Sequence, residues 1–175
     1  QSIGYFINHI YVKKGSIDNP YGDDTDHTFT LQAPKGIDEM TVALEAAQSV
    51  CALPVLCSMT VQADGSGYFG GTCVEAVETL QELGAAAVGI NCSTGPDQLE
   101  SLVRNMKQAA KVPLLVKPNA GMPEISPEGE AIYSMGPAAF AQYMRTLIDA
   151  GAALVGGCCG TDPRYISALR DVLPR

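Results

Sequence analysis

From about residue 28 onward the chain alternates short apolar runs with longer amphipathic ones. The short runs cover 28–31, 55–60, 87–92, 114–118 and 153–157. Most are aliphatic without strict polar alternation, as strands buried on both faces read. Between them the apolar positions fall at helical spacing. Ile37, Met40, Leu44, Ala47 and Val50 mark a helix over 37–50, and Val74, Val77, Leu80 and Leu83 mark one over 73–83. Two further helices open on a proline. One covers 96–110, with Gly95 as its cap and Asp97 in its first turn; the other covers 137–150 and stops at Gly151. Asp162 caps a closing helix that starts at Pro163 and runs to about Val172.

Repeated βα units predict a parallel sheet with right-handed crossovers. The expected class is α/β: a partial (β/α)8 TIM-type barrel of about five βα units. A complete barrel takes roughly 250 residues, and this chain has 175. Residues 1–27 do not share the alternation. Within them, 3–12 reads as a strand or a short helix, and 15–27, rich in Gly, Asp, Asn and Pro, reads as loop. The organisation expected is an irregular N-terminal segment, 1–27, followed by a barrel portion, 28–175. The first residue is Gln, so a processed piece or fragment is expected.

Hydrophobic residues make up 46% of the chain and charged residues 17%, the balance of a soluble globular domain. The formal net charge is -8, and no Lys/Arg cluster offsets it, which argues against nucleic acid as a partner. No apolar run approaches the roughly 20 residues that span a bilayer, and no cationic-then-apolar leader is present. A cytoplasmic location without membrane contact is expected.

The cysteines change the picture. Cys51, Cys57 and Cys73 read as small buried apolar residues. Cys92 instead closes the run 87–92, and Cys158 and Cys159 directly follow the run 153–157. The C-terminal strand ends of a parallel barrel converge on one face, where the active sites of such barrels lie. Cysteines distant in sequence can meet there. Soft sulfur ligands hold Zn²⁺ well, and three protein ligands leave the fourth position open, as in catalytic sites. From position alone, a metal role and a redox role both stay open. Gly156 and Gly157 give room for a ligand or metal to approach the backbone, and Gly160 lets the chain turn into the last helix. Asn119, also at a strand end, can hydrogen-bond a polar substrate group or serve the turn. Gln32, Met59 and Thr60 also fall at strand ends, and His9 and His27 read as surface residues.

Three motifs share one order and spacing: Gly89-Ile90-Asn91-Cys92, Lys117-Pro118-Asn119-Ala120-Gly121 and Gly156-Gly157-Cys158-Cys159-Gly160-Thr161. Over about 28–175 the chain thereby resembles the homocysteine S-methyltransferase family, and most closely the homocysteine-binding domain of its cobalamin-dependent members. The resemblance implies a (β/α)8 barrel with zinc on Cys92, Cys158 and Cys159. It implies homocysteine, or a similar thiol, in the fourth position, with no catalytic residue beyond the metal site. The substrate thiolate then displaces a methyl group from a donor, which is either methylcobalamin on a partner domain or a small molecule such as betaine or S-methylmethionine. Gln32, Asn91 and Asn119 are the expected substrate-binding residues.

Two departures stand out. The family barrel has three further βα units upstream. The family also carries Glu-Thr where this chain has Gln32-Ala33, and Gln can hydrogen-bond an ammonium but cannot neutralise it. These departures motivate an alternative, a truncated non-catalytic zinc-binding or assembly domain. A thiol redox protein using Cys158 and Cys159 is a third reading, although adjacent cysteines pair only with strain. An incomplete barrel exposes strand edges, so self-association through those edges, or their covering by residues 1–27, is expected.

Overall fold

The computed structural model describes residues 5–6, 10–11, 28–29, 32–33, 36–50, 52–62, 64–67, 71–127 and 129–174. The chain begins with four two-residue strands: β1 (Tyr5–Phe6), β2 (Ile10–Tyr11), β3 (Thr28–Phe29) and β4 (Gln32–Ala33). They form two antiparallel pairs, β1 with β4 and β2 with β3. Of the run at 28–31, expected as the first parallel strand, the described part, Thr28–Phe29, therefore lies outside the parallel sheet. An antiparallel partner on the same short stretch of chain needs only a loop, whereas a parallel one needs a crossover. The loop expected over 15–27, and His9 and His27, lie outside the described residues.

The remaining elements follow the βα alternation. They are α1 (Gly36–Val50), β5 (Leu56–Met59), α2 (Cys73–Glu82), β6 (Ala87–Cys92), a 3-10 turn (Pro96–Gln98), α3 (Glu100–Ala109), β7 (Leu114–Pro118), a hairpin of β8 (Pro123–Ile125) and β9 (Ala131–Tyr133), α4 (Pro137–Asp149), β10 (Ala152–Val155) and α5 (Pro163–Asp171). The main sheet has the order β10-β7-β6-β5, and every pairing in it is parallel. Spatial order follows chain order. Right-handed crossovers then place successive helices on the same face, which is how a barrel wall is built. The architecture is a partial (β/α) barrel.

Packing follows from the strand pattern. Val88, Ile90, Leu114 and Val116 are fully buried in one cluster with Val77 and Leu80 of α2, Val103 and Met106 of α3, and Phe140, Met144 and Leu147 of α4. Along β7 the alternate residues Leu115 and Lys117 are only half-buried, so that strand has one wholly covered face. The helices also touch in sequence, α1 on α2, α2 on α3, α3 on α4 and α4 on α5. Among the described residues no helix is long and apolar enough to cross a membrane.

Helix α2 starts at a reciprocal cap. The Glu75 N–H donates to Thr72 Oγ1 at 3.2 Å, and the Thr72 N–H donates to Glu75 Oε2 at 2.7 Å. Two of the orphan donors at the helix start are thereby satisfied. Thr72→Ala is expected to cost about 1 kcal/mol. For a chain of this size that lowers the thermal midpoint by roughly 2–4 °C, read by far-UV circular dichroism. An unchanged midpoint would show that the box contributes nothing.

Candidate metal centre

Three rim segments are stitched together at the C-terminal ends of β6, β7 and β10. The Asn119 N–H donates to Thr94 O at 3.1 Å, the Cys158 N–H to Pro118 O at 2.9 Å and the Ala120 N–H to Cys159 O at 2.9 Å. Asn119 Oδ1 accepts from the Cys159 N–H at 3.2 Å, so its side chain ties the β7 end to the cysteine pair. Thr161 Oγ1 donates to Cys158 O at 2.6 Å and closes the turn into α5. Asp162 caps α5 by accepting from the Arg164 N–H.

The end of β6 is strained. Cys92 and Ser93 have φ of 53° and 65°, the left-handed region that non-glycine residues rarely occupy. Each such residue costs of the order of 1–3 kcal/mol unless its surroundings enforce it. Ser93 Oγ accepts from the Val61 N–H at 3.0 Å and donates to Asn91 O at 3.2 Å, which fixes the kink. The kink takes Cys92 out of the strand's alternation and onto the rim.

The result is a triangle of sulfurs. Cys92 Sγ lies 3.8 Å from Cys159 Sγ, and Cys158 Sγ lies 3.9 Å from Cys159 Sγ. All three sulfurs fall within 4.8 Å of one another. A tetrahedral zinc ion with Zn–S near 2.3 Å sets neighbouring sulfurs about 3.8 Å apart. The donor set therefore fits a thiolate-bound metal, and it supplies three ligands, leaving a fourth position. Cys92 and Cys158 are half-buried and Cys159 is exposed, so the open side faces outward. Among the described residues no cysteine takes part in a disulfide; Cys51 lies outside the described residues.

Crowding polarises the cluster. The Cys158 thiol is pulled down to about 5, chiefly because Cys92 donates an S–H to it, with further help from the main-chain N–H groups of Cys159 and Cys92 against the effect of burial. Cys92 is pushed up, first by that same hydrogen bond to Cys158, then by burial and by repulsion from Cys158 and Cys159. The two shifts are opposite in direction and belong to the hydrogen-bonded pair rather than to either thiol alone. Cys57 and Cys73 behave differently: burial pushes Cys57 up to about 11 and also raises Cys73. Both sit in the core, as expected of inert thiols.

Tyr133, on β9, is a neighbour that the sequence did not single out. Its pKa is raised, first by burial and then by the neighbouring cysteine sulfurs. Gly160 has φ of +78°, and a Cβ there would run into the Tyr133 ring. Glycine is thus required both by the backbone and by the ring. Chain atoms fill the space beside Gly157, whereas beside Gly156 a side-chain carbon would meet only ordinary contacts. Lys117 carbons lie 3.4 and 3.5 Å from where a Gly156 Cβ would be, and Thr161 occupies the space beside Gly157.

The other expected residues divide. Asn91 is 1% exposed, and neither its Oδ1 nor its Nδ2 has a hydrogen-bond partner. Thr94 Oγ1 is buried and unpartnered in the same way. A buried polar group left so costs about 1–3 kcal/mol. Asn119 lies at the rim, 7% exposed. Gln32 lies on β4, paired with Phe6, and not at the end of a parallel strand. Met59 is part of the core.

Comparison with known proteins gives a consistent picture. A family profile described as Homocysteine S-methyltransferase matches residues 29–173. The chain is similar to methionine synthase of Mycobacterium tuberculosis (strain ATCC 25618 / H37Rv), 36% identical over 115 residues, covering 65% of this chain and 10% of that protein. It is also similar to methionine synthase of Mycobacterium leprae (strain TN), 34% identical over 124 residues, covering 70% of this chain and 10% of that one. Among solved structures, the oxidized form of the homocysteine methyltransferase MmuM from Escherichia coli superposes with a TM-score of 0.63 at 25% identity, covering 78% of this chain and 42% of that one. The chain spans about a tenth of the length of these two methionine synthases.

Proposed function

The chain belongs to the homocysteine S-methyltransferase family, and from that premise we propose that it binds zinc through Cys92, Cys158 and Cys159 and methylates the thiol of homocysteine. The observation that carries the reading is the sulfur triangle, whose edges of 3.8 and 3.9 Å come from strand ends far apart in sequence. When bound, zinc supplies a Lewis-acid position that keeps a substrate thiol ionised near neutral pH.

The chain's own residues hold and aim. Asn119, through the Cys159 N–H, fixes the pair at the end of β10 against β7. Ser93 locks the kink that presents Cys92. Asn91 offers a carboxamide with free donor and acceptor atoms, suited to the amino-acid end of homocysteine, and Gln32 and Asn119 are further candidates for that end. The substrate sulfur forms a bond to the methyl carbon while the bond from methyl to donor breaks, its electron pair leaving with the donor. The donor is cobalamin on a partner domain or a small methylated molecule. Residues 28–175 then form the barrel portion and 1–27 a separate segment, in a cytoplasmic protein.

One observation favours a second reading, a non-catalytic zinc-binding or assembly domain. Strands β5 and β10 are the edges of the sheet, with no further parallel neighbour among the described residues. Such edges suit self-association or docking with a further part of a barrel. Metal analysis followed by titration calorimetry with homocysteine separates the readings. Zinc near one equivalent, with homocysteine binding only when zinc is present, is expected. Zinc without homocysteine binding would favour the second reading, and a metal-free protein that takes up no zinc would defeat both.

A further inference from the structure

The inner face of the main sheet carries a cation just below the metal rim. Val88 and Ile90 on β6, and Leu114 and Val116 on β7, are buried in the cluster shared with the helices. Side chains alternate along a strand. Asn91 and Lys117 therefore stand on the opposite face, which in a barrel wall is the interior. The register sets these two side by side, Asn91 opposite Lys117, with Cys92 opposite Pro118 one step further on.

Strand β10 closes the other side. The Gly156 N–H donates to Val116 O at 3.2 Å and the Cys158 N–H to Pro118 O at 2.9 Å, so the two bonds bracket Lys117. Lys117 Cγ and Cδ lie 3.4 and 3.5 Å from where a Gly156 Cβ would be, and the lysine stem rests on the bare side of that glycine. Lys117 is thus half-buried between the strand that ends in Cys92 and the strand that leads into the Cys158–Cys159 pair. It stands one strand step, about 3.3 Å, below the level of Cys92. Beside it Asn91 is 1% exposed, with neither Oδ1 nor Nδ2 hydrogen-bonded among the described residues.

Resting on the reading above of a metal-held thiol substrate, we propose that Lys117 is a specificity-determining residue: its ammonium binds the carboxylate of that substrate, with the Asn91 carboxamide as a second donor. A thiol at the fourth metal position hangs its carbon chain from the rim, and the strand register places Lys117 and Asn91 next to that rim on the inner face. An ammonium offers a carboxylate both charge and N–H donors, and a carboxamide N–H adds to them. Asn91 Oδ1 can accept from a substrate amine, but it carries no charge, and Lys117 repels an ammonium. The group read on this face is therefore the carboxylate and not the amine. The ligand class is thiols that carry a carboxylate a short carbon chain away, of which homocysteine is one.

The experiment titrates the zinc-loaded chain calorimetrically with three thiols: homocysteine, its desamino analogue, which keeps the carboxylate, and its decarboxylated analogue, which keeps the amine. Homocysteine and the desamino analogue are expected to bind with similar affinity, and the decarboxylated analogue at least about tenfold more weakly. Lys117→Met keeps the stem on Gly156 and deletes the ammonium. It is expected to weaken homocysteine about ten- to hundredfold, to leave the decarboxylated analogue unchanged, and to keep wild-type zinc affinity in competition with a chromogenic chelator. Lys117→Arg should recover part of the loss. A Met variant that binds homocysteine like the wild type overturns the proposal, as does a wild type that ranks the decarboxylated analogue above the desamino one. Zinc loss in Lys117→Met would assign the lysine to the charge of the metal centre and overturns it too. The wild-type ranking of the three thiols decides the matter even where a variant fails to fold. If the zinc-loaded wild type binds none of them, the thiol-substrate reading fails and this inference falls with it. Wild-type binding of homocysteine with an indifferent Met variant sinks the inference alone.

Discussion

Cys158→Ala is expected to abolish stoichiometric zinc. Structural zinc sites contribute roughly 10–16 kcal/mol of apparent binding free energy at neutral pH. Divided over four ligands, one thiolate accounts for about 3–4 kcal/mol, which is two to three decades in affinity. Cys158 is the sharpest choice of the three. It is the thiol held lowest, to about 5, by the Cys92 S–H and by main-chain N–H groups, and it sits half-buried, where a replacement water is poorly placed. A protein dialysed against micromolar zinc should go from one equivalent to near none by elemental analysis. Cys57→Ala is the control: that thiol is buried on β5, pushed up to about 11 by its apolar surroundings, and outside the triangle. It should lose some stability and keep its zinc. Full zinc occupancy in Cys158→Ala, or equal loss in both variants, would mean that the metal sits elsewhere or is held nonspecifically.

That triangle was legible in the sequence because its cysteines fall at or just beyond the ends of apolar runs and within motifs that resemble one family. The runs at 87–92 and 114–118 match β6 and β7, and the helices at 73–83, 137–150 and 163–172 match α2, α4 and α5 to within a residue. What was not legible has a physical reason in each case. The run at 28–31 has strand composition, but composition does not choose the partner, and Thr28–Phe29 pairs with Ile10–Tyr11. The helix expected from Pro96 begins as a 3-10 turn and becomes α-helical only at Glu100. A proline at a helix start sets φ but does not fix the hydrogen-bond spacing. The left-handed φ of Cys92 and Ser93 is invisible where neither residue is glycine or asparagine, and it is enforced by Val61, distant in sequence. Hairpin β8–β9 escaped because its residues are mostly exposed and carry no apolar period. The one signal for it was an isolated aromatic, Tyr133, after a Ser-Pro-Glu-Gly turn sequence. Asn91 was named from its motif, but its burial without a hydrogen-bond partner could not be read there.

Phe140→Ala is expected to remove a large share of the folding free energy, although the residue touches no sulfur. Phe140 is among the largest fully buried side chains, and its ring meets that of Tyr165 edge-on, with centroids 5.5 Å apart and planes at 83°. Truncating a buried Phe costs about 3–5 kcal/mol once the cavity is counted, and the edge-to-face pair adds roughly 0.5–1.5 kcal/mol of that. Native domains hold only about 5–15 kcal/mol in total, so the urea midpoint should fall steeply with little change in slope. Phe140→Leu should recover much of the loss. The site enters through Tyr165, which donates to Met135 O and so ties α5 to the chain leaving β9. A cavity beside Tyr165 loosens that tie. Zinc at a hundred times its dissociation constant should add about 2.7 kcal/mol to the wild-type stability. In Phe140→Ala the same zinc concentration should add less, because the loosened tie frees the start of α5, which follows closely on the Cys158–Cys159 pair. Equal zinc stabilisation in both proteins would show that the α4–α5 core and the metal rim are energetically independent. Additivity of that kind is what distant sites with no shared partners display, whereas here the ring of Tyr165 faces Phe140 and its hydroxyl holds the strand exit.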